Sequence, residues 1–112
     1  MDWIKLTDEN QINDIKEFSK TGVAVVYKHS YKCPTSTMAL DRIERSWNKD
    51  EMVHTKPFFV NVIDARPLSN KIAEVFGIRH ESPQILIIKD EKCVYNASHL
   101  GISYSEVKRV AA

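Results

Sequence analysis

Val23-Ala24-Val25-Val26-Tyr27-Lys28-His29-Ser30-Tyr31-Lys32-Cys33-Pro34-Thr35-Ser36 is the stretch whose reading decides the fold. Residues 23–27 form an unbroken, largely β-branched apolar run, too short for a helix and suited to a strand covered on both faces. Beyond the stretch, Ala39, Leu40, Ile43 and Trp47 recur at helical spacing. The residues between therefore carry the chain from a buried strand through a short loop into a helix. In open α/β sheets, sites form at such junctions beyond the carboxyl ends of strands, and Cys33 lies in this one.

Outward from this centre the pattern repeats. Trp3-Ile4-Lys5-Leu6 predicts a short strand, and Ile12, Ile15 and Phe18 predict a helix ended by Thr21-Gly22. After the polar Lys49-Asp50-Glu51, residues 57–63 read as another buried strand, and Ile72, Val75 and Phe76 as a helix stopped by Gly77. Residues 84–89 and 93–97 are apolar runs separated only by Asp90-Glu91-Lys92, a link that joins antiparallel strands alone. Ser103-Tyr104-Ser105-Glu106 has the S-x-x-E form of a capping box and opens a last helix. The order βαβαβα-ββα predicts an α/β fold: a mixed central sheet, helices on both faces, and residues 23–27 as the middle strand. With no internal repeat, low-complexity tract or linker, residues 1–112 read as a single domain.

Composition narrows the function. The chain is 43% hydrophobic and 28% charged with a formal net charge of +1, so no excess of positive charge exists to make nucleic acid its main partner. No apolar run approaches the roughly 20 residues of a membrane span, and Met1-Asp2-Trp3-Ile4-Lys5 lacks the layout of a secretory signal. A cytoplasmic protein without a membrane partner is expected. The two cysteines, Cys33 and Cys93, are too few and too far apart for a disulfide scaffold, a CxxC motif or a paired-cysteine zinc site.

The segment Cys33-Pro34-Thr35-Ser36 makes physical sense if Cys33 is the N-cap and Pro34 the first helical residue, where proline loses no needed hydrogen bond. Free amide groups then face the sulfur, and together with the helix dipole, Lys28 and Lys32 they favour thiolate over thiol. A stabilised thiolate gains little as attacker but departs faster from a mixed disulfide. The competing reading, an inert core thiol, is outweighed by the position of Cys33 after a buried strand. In Glu81-Ser82-Pro83-Gln84 the proline either starts a strand or follows a cis bond in a tight turn. In the second case the Ser82 backbone would pair with an extended substrate segment beside the sulfur.

These residues resemble the thioredoxin superfamily and, more closely, the YtxJ-type monothiol bacilliredoxins, over nearly the whole chain. The resemblance rests on Lys28-His29-Ser30 leading to Cys33-Pro34-x-Ser36, Ser69-Asn70-Lys71-Ile72-Ala73-Glu74 leading to Phe76-Gly77-Ile78, His80-Glu81-Ser82-Pro83-Gln84, and Asn96-Ala97-Ser98-His99. It implies a thioredoxin-like fold and a thiol–disulfide oxidoreductase that removes bacillithiol, or a similar small thiol, from S-thiolated client proteins. Cys33 would attack the mixed disulfide, take the small thiol and be restored by another, and Pro83 would be the cis-proline beside it. No bound cofactor is implied, only a low-molecular-weight thiol as co-substrate. Ser36 occupies the place of a resolving cysteine and cannot close a disulfide. Tyr27 occupies the place where ordinary thioredoxins carry a buried aspartate.

Around Cys33 as catalytic residue, Lys32, Pro34, Ser36, Ser82, Pro83, His29 and His99 are the expected substrate-binding residues. His29 would support the thiolate as a cation or merely end the strand. His99 would contact the bound thiol or its acidic groups, or serve in capping and packing. His80 and His99 with Cys33 are a poor zinc set, because the helix-start cysteine already has a better explanation. Cys93 begins a return strand about 20 Å long, while a disulfide needs Cα atoms within about 7 Å, so a structural role is expected. Two other functions fit the same fold. One is a non-catalytic thioredoxin-like interaction domain using the Pro83 edge. The other is iron–sulfur handling in the manner of monothiol glutaredoxins, disfavoured because Pro34 replaces the small residue found there.

Overall fold

The periodicities of the chain are realised as nine regular elements in a computed structural model describing residues 1–112. They are β1 (Ile4–Lys5), α1 (Gln11–Ser19), β2 (Val23–His29), α2 (Pro34–Ser46), β3 (Thr55–Asn61), α3 (Arg66–Phe76), β4 (Gln84–Lys89), β5 (Lys92–Ser98) and α4 (Tyr104–Ala111), with a 3-10 turn at His99–Gly101 before α4. The strands form one sheet in the order β1-β3-β2-β4-β5. β2 pairs in parallel with β3 and antiparallel with β4, so it is the central strand expected.

Alternation along β2 builds both cores at once. Ala24 and Val26 pack with Ile12 and Ile15 of α1, Leu68 and Ile72 of α3, and Leu86 and Ile88 of β4. Val25 and Tyr27 face the other way and pack with Ala39 and Ile43 of α2, Val107 and Ala111 of α4, and Ile85 and Ile87 of β4. The β2–β4 register, Lys28 opposite Gln84, brings the start of β4 to the carboxyl end of β2. That is the end at which α2 begins.

Several local expectations are corrected. β1 is only two residues long, with Leu6 N–H donating to the Phe59 carbonyl just beyond it. β2 extends to His29, and β3 lies two residues earlier than its apolar run suggests. Trp47 caps α2 instead of belonging to it. The hairpin turn is two residues, Asp90 and Glu91, with φ of 48° and 65°; Lys92 is already in β5. Both turn residues are left-handed, as this hairpin geometry requires, although neither is glycine or asparagine. Ser19 compensates from the end of α1: its carbonyl accepts from Asp90 N–H and its Oγ from Glu91 N–H, each at 2.8 Å. Further along β5 the register slips between Ile87 and Ile88, leaving Val94 as a bulge. Only half of the capping box forms. Ser103 Oγ accepts from Glu106 N–H, but the Glu106 carboxylate is taken by Arg109 Nε at 2.7 Å.

Gly22 admits no side chain, since a Cβ there would stand 2.5 Å from Phe18 Cζ and 2.8 Å from the His54 carbonyl oxygen. That carbonyl already accepts from Val23 N–H, so backbone as well as a ring must yield. Gly22→Ala is therefore expected to destabilise the fold by about 1–3 kcal/mol. Urea denaturation measures it, and an unchanged midpoint would contradict the close approach.

Candidate active site

Cys33 caps α2 with an extended backbone (φ −105°, ψ 114°) and Pro34 takes the first helical position. Its N–H donates to the Ser30 carbonyl at 3.0 Å, and its own carbonyl accepts from Thr37 N–H at 3.2 Å. The residue is partly exposed and its thiol is free. The sulfur accepts no capping hydrogen bond from the first turn, so the amides expected to face it do not bond to it. Lys28 is also not its neighbour. The side chain lies on the opposite face of the sheet, where Nζ donates to the Ser69 carbonyl at 3.1 Å and meets His80 Nδ1 at 3.2 Å. Of the two lysines, Lys32 remains, exposed in the loop beside Cys33.

Ser36 is fully buried. Its Oγ accepts from Ser30 N–H at 3.0 Å and lies 2.7 Å from His29 Nδ1. The His29 ring, 8% exposed, sits 5.5 Å from the Phe59 ring and 6.2 Å from that of Tyr27. Burial lowers its pKa below the ordinary value, and the opposing charge of Glu44 does not offset this. A neutral ring protonated on Nε2 lets the Ser36 hydroxyl donate to Nδ1 while accepting from Ser30. Two expectations change accordingly. His29 is a neutral partner of Ser36 instead of a cation beside the thiolate, and Ser36 has no hydroxyl to offer a substrate. Beneath them Tyr27 OH donates to the Ser36 carbonyl at 2.9 Å, and burial pushes its phenol up to about 12. Tyr27 therefore stays protonated at neutral pH and holds the helix start.

The Ser82–Pro83 bond is cis. Because Lys28 pairs with Gln84, Pro83 lies level with His29 at the edge that carries Cys33. Ser82 N–H and C=O pair with no other backbone group, and its Oγ is buried without a partner. The Pro83 carbonyl accepts from His99 N–H at 3.1 Å, which brings the end of β5 back to this edge. The His99 side chain is exposed and its φ is 53°. His80 and His99, weighed as zinc ligands with Cys33, are separated, one against Lys28 and the other on the surface. Cys93 pairs with Ile88 at the far end of the hairpin, where its thiol donates to the Tyr95 carbonyl at 3.3 Å and burial raises its pKa. Sequence reasoning missed the exposed apolar side chains of Tyr31, Met38 and Leu100. A leucine after Ser98-His99 looks like core until the backbone turns it outward.

Comparison with known proteins places this geometry. Residues 4–107 match the family model described as monothiol bacilliredoxin BrxC. Among solved structures, one described as a candidate oxidoreductase with a thioredoxin fold is 28% identical with a TM-score of 0.78, covering 95% of this chain and 90% of its own. The thioredoxin of Malassezia sympodialis is 16% identical with a TM-score of 0.72, covering 96% and 86%. That of Fasciola hepatica is 17% identical with a TM-score of 0.72, covering 95% and 93%. The chain has the thioredoxin fold.

Two measurements follow from the site. At neutral pH iodoacetamide should modify Cys33 before Cys93, whose thiol is held protonated by burial; peptide mass mapping would show the reverse order if the assignment were wrong. His29 and His80 both bind a proton less readily folded than unfolded. Their contribution to stability is therefore full above about pH 6.5, the unfolded value, and is lost as pH falls toward the lowered folded values. Denaturation midpoints should drop from pH 7.5 to pH 5.5, and a rise would refute the lowered proton affinity of the two rings.

Proposed function

From the premise that this chain belongs to the monothiol bacilliredoxin family, we propose that it removes bacillithiol, or a similar small thiol, from mixed disulfides on client proteins. The Cys33 thiolate attacks the small-thiol sulfur, a Cys33 disulfide forms, and the client leaves as its thiolate. A second, reduced small thiol then attacks that disulfide, which frees Cys33 and releases the small thiol as its symmetrical disulfide. The two thiols supply and accept all the electrons, so no bound cofactor takes part.

The observation that carries this reading is the pairing of a partly exposed Cys33 with a Ser36 locked to His29 and Ser30 where a second cysteine would resolve. Cys93, at the far end of the β4–β5 hairpin, is badly placed to substitute. The unpaired backbone of Ser82 offers a strand-like contact to an extended client segment. In this reading Lys32, Pro34, Pro83 and His99 form the rim that the client and the small thiol meet. The cell interior, where small thiols are kept reduced, is the compartment that suits the cycle.

A bacillithiolated protein incubated with this chain and reduced bacillithiol should lose its modification. Cys33→Ala should fall to the uncatalysed rate, whereas Cys93→Ala should retain turnover. A fully active Cys33→Ala variant would overturn the reading.

A further inference from the structure

Lys28 carries a charge that the thiol reaction does not use. It is 0% exposed, and its ammonium forms no ion pair with a carboxylate. Its contacts are the Ser69 carbonyl of α3 at 3.1 Å and His80 Nδ1 at 3.2 Å. Burial, and more weakly Arg66, lowers its pKa to about 8, so it remains mostly charged at neutral pH. A cation buried without a counterion is costly, which directs attention to what it holds.

It holds the loop of residues 78–83 between α3 and β4, the loop that ends in Ser82 and Pro83. Five contacts fix that loop. Ile78 N–H donates to the Ala73 carbonyl at 3.0 Å, Gln84 Nε2 donates to the Arg79 carbonyl at 3.0 Å, Lys28 donates to His80 Nδ1, Ser69 Oγ lies 3.4 Å from the same nitrogen, and His99 N–H donates to the Pro83 carbonyl at 3.1 Å. The middle contact alone joins two titratable groups, and it reaches the loop from the central strand.

Resting on the thiol-exchange reading above, we propose that Lys28 is a positioning residue for that reaction. Its ammonium donates to the unprotonated Nδ1 of His80 and holds Ser82 and Pro83 beside Cys33; a proton on His80 breaks this contact and slackens the docking edge. The groups facing His80 are Lys28 from β2, Arg66 from α3 and Glu81 from its own loop. Burial and then the two cations disfavour the proton, Glu81 favours it, and the balance lies below the ordinary histidine value. The contact therefore persists at neutral pH and fails on acidification.

The test follows kcat and KM separately for a bacillithiolated protein between about pH 5 and about pH 8. KM is expected to rise about fivefold on the acid side, with a smaller change in kcat. His80→Asn keeps an acceptor near the position of Nδ1 and takes no proton, so its KM should stay flat. Lys28→Met should hold KM, at every pH, about fivefold above the native value at neutral pH, so that the two chains converge on the acid side, and it should not lower the melting temperature, since it replaces an unpaired buried charge with an apolar chain. In a parallel arm, the Ser82 amide resonance should follow the titration of His80 in the native chain and cease to do so in Lys28→Met. A flat KM in the native chain, an acid rise retained by His80→Asn, or a Ser82 resonance indifferent to Lys28→Met would each overturn the proposal. If the native chain shows no turnover at any pH, the thiol-exchange reading fails, and the Ser82 resonance alone decides the loop contact.

Discussion

The site depends on one fully buried hydroxyl. Ser36 Oγ joins His29, the last residue of the central strand, to Ser30 in the loop and to the first turn of α2, while Tyr27 OH holds the same turn by its carbonyl. All of these partners are buried or nearly so, and leaving one unsatisfied costs about 1–3 kcal/mol. Cys33 is the residue that caps this turn, so its place is set by hydrogen bonds in which its own sulfur takes no part. Ser36 is thus a structural clasp of the helix start.

The pleat of β2 divides the polar residues at this end of the sheet into two systems. Tyr27 and His29 point toward α2, Tyr27 beside Trp3 and Phe59 and His29 beside Phe59, whereas Lys28 between them points toward α3 and the loop before Pro83. One system holds the helix start that carries Cys33, and the other meets the loop before Pro83. Each is built from residues adjacent in sequence, yet they work from opposite faces and converge only where the strand ends.

Most of the architecture was legible because each element shows its own period. Residues 23–27, the stripe through Ala39 and Ile43, and the paired runs before and after Asp90 and Glu91 gave the element order and the antiparallel hairpin. Cys33 was placed by the same logic. Lys28 was misplaced although the signal was present: a residue one step from Tyr27 in a strand must face the other way. The lowered pKa of His29 was not legible, because it comes from burial by other elements, the Phe59 ring of β3 among them. The left-handed turn at Asp90 and Glu91 was hidden for a similar reason, being held by Ser19, some 70 residues earlier. The capping box was half right because Arg109 competes for the Glu106 side chain, and the peptide before Pro83 was left with two readings that local sequence does not separate.

The outer strands of the sheet bear on a different hazard. β1 offers only two residues of pairing, and β5 is interrupted by the bulge at Val94 and begins with Lys92. Short, kinked or lysine-bearing margins present no long straight ladder of free amides and carbonyls, so neighbouring molecules find little template on which to polymerise. A domain whose Ser82 backbone stands open to pairing keeps that opening to a single loop and blunts the places where the same chemistry would lead to aggregation.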